Sequence, residues 1–210
     1  MFAESTLAVF LDRLAAGTPT PGGGSAAALA GSLSGALIQM VADLSLGKEA
    51  LKPHHAALAV IRDRAATLRR ELLALVDRDA EAYDAVMAAI RMPKGTPAEI
   101  AARKEALGRA NVTATEIPLQ AAESCATLMG LARDLAARGN RNALSDAGTA
   151  AMLAESGLRA ALMNVLINLP GHPDPVAAAA LRDRARDLGA EADRLRVADL
   201  ETLKSIEPGR

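Results

Sequence analysis

Aromatic residues are almost missing from this chain, with two phenylalanines, one tyrosine and no tryptophan in 210 residues. Large rings therefore cannot fill a core. Bulk has to come from Leu, Val, Ile and Met, with Ala letting backbones approach closely. Cysteine occurs once, at Cys125, which excludes an intrachain disulfide and suits a cytoplasmic setting. Net charge is nearly absent too: 24 basic side chains are interspersed with 25 acidic ones. That balance gives no general electrostatic attraction to nucleic acid or to an anionic membrane. The N-terminus lacks the basic flank and apolar core of a secretory signal. Alternating runs of β-branched residues, the mark of half-buried strands, are also missing.

What remains is rich in alanine and other helix formers. Alanine leads helix propensity and is depleted in strands, so the expected fold is all-α. Turn residues divide the chain into long pieces, predicting an antiparallel bundle in a single domain over residues 1–210. The spacing predicts helices over 5–16, 25–46, 53–91, from 97 towards Gly139, from Ser145 to Asn168, and from Pro175 to Ile206. Thr96, Pro97 and Glu99 form a capping arrangement, Pro118 is expected to bend or break its helix, and Asp174 with Pro175 repeats the cap-then-proline pattern. Residues 26–46 reach membrane-spanning length but carry Ser32, Ser34, Gln39, Asp43 and Ser45, so a buried helix is expected. A helix apolar nearly all round needs partners on every side, and burial in a homodimer is the natural solution.

Before that helix stands "GTPTPGGGS". Gly22, Gly24 and Ala27 satisfy a dinucleotide-type spacing, but no strand enters the loop, and no Lys-Ser or Lys-Thr follows for a P-loop. What survives is a set of free N–H groups at a positive helix end, with Gly22, Gly23, Gly24 and the cap or donor Ser25 able to receive an anionic or carbonyl group. Asp43 sits on the same apolar helix, so it either meets Lys48 or another base, or faces a cleft. Asp79 and Tyr83 lie one turn apart on one face, whereas Asp84 points away towards solvent. Asn140 and Asn142 donate and accept at once, and Ser145 and Asp146 open the next helix with Ser145 as its expected cap. Asn164 and Asn168 repeat at four-residue spacing, and either line the same cleft or tie the helix end to a neighbouring chain. His54, His55 and His172 have no partners at a metal-ligand spacing, so no metal site is expected. Cys125, among alanines, reads as a small buried hydrophobe, and the Arg-rich last helix as a solvated face.

Three stretches, "TPTPGGGSAAALAGSLSGALIQMVADLSLGK", "LVDRDAEAYDAVMAA" and "GNRNALSDAGTAAMLAESGLRAALMNVLINL", resemble the cyclodeaminase/cyclohydrolase family of folate enzymes. The resemblance runs through nearly the whole chain in the same order. It implies an all-helical homodimer with a folate substrate in a cleft near the subunit interface, and hydrolysis of methenyltetrahydrofolate to 10-formyltetrahydrofolate without metal or redox cofactor. The absence of a formiminotransferase domain favours this over cyclodeamination of formiminotetrahydrofolate, which releases ammonia. A non-catalytic helical scaffold is the reading from another class. The matched motifs offer Lys48 and Asp146 as proton-handling and electrostatic residues, with Asp79 beside them. Gly22, Gly23, Gly24, Ser25, Gln39, Tyr83, Asn140, Asn142, Ser145 and Asn164 are the expected binding residues. A lysine in an apolar cleft has its pKa lowered and can pass a proton to a departing nitrogen. One or two arginines of the last helix, or Arg138 and Arg141, are available for a folate glutamate tail.

Overall fold

The computed structural model describes the backbone of residues 1–204 and the side chains of residues 1–196. Among them every regular element is helical: α1 (Leu7–Ala15), α2 (Gly23–Leu46), α3 (His55–Arg91), α4 (Pro97–Arg138), α5 (Leu144–Asn168) and α6 (Pro175–Lys204). Short 3₁₀ helices at Glu49–His54, Arg141–Ala143 and Leu169–Gly171 lie in the connections after α2, α4 and α5. The expected end of α6 at Ile206 lies outside the described residues.

Helix α2 is the axis of the bundle and packs on α3, α4 and α5. Small residues let it do so. A Cβ on Gly157 of α5 would lie 2.9 Å from the Ala27 carbonyl and 3.0 Å from the Cys125 sulfur, so backbone meets backbone at this crossing. Leu58, Leu68, Leu72, Leu128, Met129 and Leu158 supply the bulk that aromatic rings supply elsewhere. The serines of α2 are absorbed by the packing: Ser32 donates to the Arg69 carbonyl at 3.0 Å and Ser45 to the Val41 carbonyl at 2.6 Å. At the N-terminus the Phe2 and Phe10 rings meet edge to face at 6.4 Å, and the Phe2 amide donates to Asp77, tying α1 to α3.

Contacts along α2 give the directions of its neighbours. Ser25 meets Val76 and Ser32 meets Arg69, so α3 runs antiparallel to it. Gly23 faces Asn164 while Asn140 bonds Ser45, so α5 is antiparallel as well. The capping box of α4 forms as expected, with Glu99 N–H donating to Thr96 Oγ1 and Thr96 N–H to Glu99 Oε2. Asp174 caps α6 through the N–H groups of Val176 and Ala177.

Several local expectations need correction. Helix α2 starts at Gly23, so Gly23 and Gly24 belong to its first turn and Gly22 is the cap position, with no side-chain cap bond. Ser25 is therefore not the cap, and its hydroxyl is turned into the bundle instead. Ser145 does not cap α5 either. The helix starts at Leu144, and Asn140 caps the preceding 3₁₀ turn by accepting from Asn142 N–H at 3.1 Å. Pro118 does not break α4, which runs unbroken from Pro97 to Arg138. One expectation holds in its first form: Asp43 meets a base, lying 3.7 Å from Arg62 in a partly exposed pair of small energetic weight.

Candidate functional site

The first turn of α2, the middle of α3, α4 near Asn111 and the last turns of α5 converge on a cavity of about 390 Å³. Its walls include Gly22, Gly23 and Gly24, Asp79 and Tyr83, and the amides Asn111, Asn164 and Asn168. Apolar surface comes from Pro19, Ala82, Val86 and Ile167. An apolar cleft with a few convergent polar groups is the usual form of a small-molecule site.

Asp79 is its ionisable centre. The Ser25 Oγ lies 2.9 Å from Asp79 Oδ2 and 2.9 Å from the Val76 carbonyl. A hydroxyl has one proton, so Ser25 either donates to the carboxylate or passes a bond from a protonated Asp79 to the carbonyl. Burial pushes the Asp79 carboxyl above its usual range, and hydrogen bonds from the Ser25 side chain and backbone pull it part of the way back. Gly24 is required here. A Cβ at that position would collide with the Asp79 carboxylate, lying 2.6 Å from its Cγ. The glycine lets the carboxylate close over the open end of α2, where free N–H groups and the helix dipole favour negative charge.

The asparagines are held in place. Asn164 Nδ2 donates to the Ala160 carbonyl at 2.9 Å, leaving its Oδ1 as an acceptor. Asn168 Nδ2 donates to the Ala114 carbonyl at 2.6 Å. Tyr83 is 39% exposed at the mouth. The cleft can accept a planar, hydrogen-bonding heterocycle against Tyr83 and the amides, with one carboxylate beside it.

The structure thus gathers Gly22, Gly23, Gly24, Ser25, Asp79, Tyr83 and Asn164 at one end of α2. It places the rest elsewhere. Lys48 follows the far end of a helix of 24 residues, about 36 Å away at 1.5 Å per residue. Asn140 sits at that far end, its N–H on Ser45 Oγ at 2.9 Å, followed by Asn142, Ser145 and Asp146. Gln39 lies between the two groups, sixteen residues beyond Gly23 and roughly 24 Å along the helix. Lys48 is exposed, and its carbonyl lies 3.1 Å from His55 Nε2. Asn111 was not among the expected residues. It stands on α4 among other polar positions, Arg109, Thr113 and Thr115, and nothing in the spacing sets it apart from them.

Comparison with known proteins agrees with this architecture. Residues 6–187 match the family model described as formiminotransferase-cyclodeaminase. The chain is 40% identical over 205 residues to the methenyltetrahydrofolate cyclohydrolase of Methylorubrum extorquens, covering 98% of this chain and 99% of that one. It is 35% identical over 200 residues to the formimidoyltransferase-cyclodeaminase of Rattus norvegicus, covering 90% of this chain but 35% of that longer protein. The crystal structure of formiminotetrahydrofolate cyclodeaminase from Thermotoga maritima superposes with a TM-score of 0.85 at 26% identity, covering 98% and 99% of the two chains. With a family model matched over most of its length and a full-length relative at this identity, the chain belongs to the formiminotransferase-cyclodeaminase family.

Proposed function

We propose that this chain is a methenyltetrahydrofolate cyclohydrolase, working as a cytoplasmic homodimer without metal or redox cofactor. The carrying observation is the end-to-end match to a cyclohydrolase of the same length, against the partial match to longer bifunctional relatives. The buried, unpaired Cys125 suits a reducing compartment.

The site's chemistry fits the reaction. The methenyl carbon of the substrate is cationic and bridges two nitrogens. Asp79, when ionised, offsets that charge and takes a proton from the attacking water as its oxygen bonds to the carbon. The tetrahedral adduct then breaks its bond to the pterin-side nitrogen, which takes the proton that Asp79 received from the water and so returns the carboxylate to its ionised form. The second proton of the original water is lost as the formyl C=O forms on the other nitrogen. A carboxyl raised by burial is a better base than an exposed aspartate, and Ser25 holds it in place. Asn111, Asn164 and Tyr83 orient the pterin edge.

Mixing the purified protein with methenyltetrahydrofolate should bleach the substrate's near-ultraviolet absorbance faster than buffer does. A second reading, formiminotetrahydrofolate cyclodeamination, is favoured by the name of the structural relative. It passes through a nearly identical adduct. Rapid ammonia release from the formimino substrate, with no acceleration of methenyl hydrolysis, would select it.

A further inference from the structure

The cleft beside Asp79 is too small for the whole substrate. About 390 Å³ accommodates a two-ring pterin, but methenyltetrahydrofolate also carries a benzoyl ring and a glutamate on its second bridging nitrogen. That arm has to lie elsewhere. Asn111 marks where, because it lines both the cleft and a second, larger cavity of about 840 Å³. Ile100, Lys104, Leu107, Asn111 and Ala114 recur at alternating intervals of four and three, which puts them on one face of α4. The first four line the second cavity and the last two line the cleft. The two spaces are consecutive stretches of one groove along the helix.

The walls of the second stretch suit an aromatic ring. Leu107, Val112 and Pro173 are apolar, and Ile100 at the outer end is left 54% exposed. Pro173 belongs to the connection between α5 and α6, and two glycines bring that connection against α4. A Cβ on Gly108 would lie 3.3 Å from the Pro173 ring, and one on Gly171 would lie 2.8 Å from the Asn111 amide nitrogen. The backbone at Gly171 thus seats Asn111 at the junction of the two stretches.

Charge and length match as well. Glu105 at the rim is paired with Arg109, whereas neither Arg103 nor Lys104 forms an ion pair among the described residues. Arg103 is half-buried, and its Nε donates to the Ile90 carbonyl at 3.2 Å, which fixes the guanidinium plane and leaves both terminal nitrogens for a carboxylate. The groove therefore ends in two uncompensated cations. Lys104 and Arg103 stand seven and eight residues before Asn111, about 10–12 Å along the helix. The extended arm measures roughly 10 Å from its nitrogen to the first glutamate carboxylate. Arg138, an expected partner for that carboxylate, lies at the other end of α4, about 40 Å from Asn111 in the same chain.

We propose that the α4 groove from Asn111 to Arg103 binds the p-aminobenzoyl-glutamate arm of the substrate, with the ring on Leu107 and Pro173 and the glutamate carboxylates on Arg103 and Lys104. This rests on the cyclohydrolase reading for the identity of the ligand. The two cations act far from the reacting carbon and hold ground state and transition state alike. Their contribution falls on binding and leaves the chemical step alone.

Steady-state kinetics with methenyltetrahydrofolate and with methenyltetrahydropteroate, the same molecule without its glutamate, test this. The double variant Arg103→Ala, Lys104→Ala should raise KM for the glutamylated substrate about tenfold, keep kcat within about twofold, and leave KM for the pteroate form unchanged. Arg103→Ala also frees the Ile90 carbonyl, so Lys104→Ala serves as the second variant; its side chain is exposed and makes no hydrogen bond among the described residues. It should raise the same KM roughly threefold by itself. Added salt should raise the wild-type KM for the glutamylated substrate alone. An unchanged KM in the double variant, or an equal rise for both substrates, overturns the groove. A wild-type protein that hydrolyses neither substrate removes the cyclohydrolase reading, and equilibrium dialysis with p-aminobenzoyl-triglutamate then decides the groove separately. Binding to the wild type that is lost in the double variant supports it; no binding, or equal binding to both proteins, overturns it.

Discussion

Asn168 donates its side-chain amide to the Ala114 carbonyl at 2.6 Å. That carbonyl is the one Pro118 would serve in an ordinary helix, because residue 118 lies four positions on and proline has no N–H. Helix α4 therefore runs through its proline unbroken, and the vacated acceptor is filled from α5. The bond also fixes a side chain that lines the cleft, so a break in one helix's ladder has become a tie between two walls of the site.

Replacing Asn168 with Ala should orphan the Ala114 carbonyl and cost about 1–3 kcal/mol of stability. Pro118→Ala supplies the missing N–H. In that background the Asn168→Ala change should cost distinctly less, and urea unfolding of the four proteins measures the coupling. Strict additivity would mean that the two residues do not share the acceptor.

Two neighbouring glycines should respond in opposite ways. A Cβ at Gly23 meets nothing closer than the Asn164 amide at 3.7 Å, an ordinary contact, so Gly23→Ala should raise stability by about 0.5–1 kcal/mol through helix propensity. A Cβ at Gly24 meets the Asp79 carboxylate. Gly24→Ala should force that side chain to turn away, break the Ser25–Asp79 bond and lower kcat severely, with a smaller effect on thermal stability. Equal behaviour of the two variants in turnover and melting assays would contradict the close approach.

The pairing of Asp79 with Tyr83 was legible from helical spacing, and the capping box at Thr96 and Glu99 from adjacent residues, because both depend on local geometry. The position of Ser25 was not. Its hydroxyl could have capped its own helix, and whether α3 passes close enough to take it is decided by packing fifty-one residues away in sequence. Asn111 was invisible for a related reason, since a lone amide acquires meaning only from the walls brought against it. The distance between Lys48 and Asp79 follows directly from the length of α2. Shared membership of the matched motifs concealed it, since motif order carries no information about which end of a helix a residue occupies.

Cys125 should be inert in the native protein. Burial pushes its thiol up to about 12, and it is wedged against Gly31 and Gly157 with no charged neighbour to draw off the proton. A thiol reagent such as Ellman's should label it only as fast as the protein unfolds, with the rate rising in urea along the unfolding curve. Rapid labelling at neutral pH without denaturant would show that the crossing of α2, α4 and α5 opens locally. Cys125→Ser should be destabilising, because it sets a polar hydroxyl into a packed, apolar helix crossing.

Asp79 should make the protein less stable as the pH rises. Its native carboxyl lies above the ordinary value of 3.8, so the folded state holds this proton more tightly than the unfolded chain does. Well below 3.8 both states are protonated and the residue is neutral in the balance. Between the unfolded and the native value the unfolded chain releases its proton first, and stability falls; above the native value the cost stays constant. Asp79→Asn removes this titration. The difference in unfolding midpoint between variant and wild type should therefore grow in the variant's favour across that window and then level off, while cyclohydrolase turnover is lost. The acid limb of the wild-type rate profile should fall in the same window, since a base must be ionised to accept the proton from water. A variant less stable than wild type at neutral pH, or a wild-type rate profile whose acid limb lies below 3.8, would show that Asp79 is held as a stabilised anion and that burial does not set its ionisation.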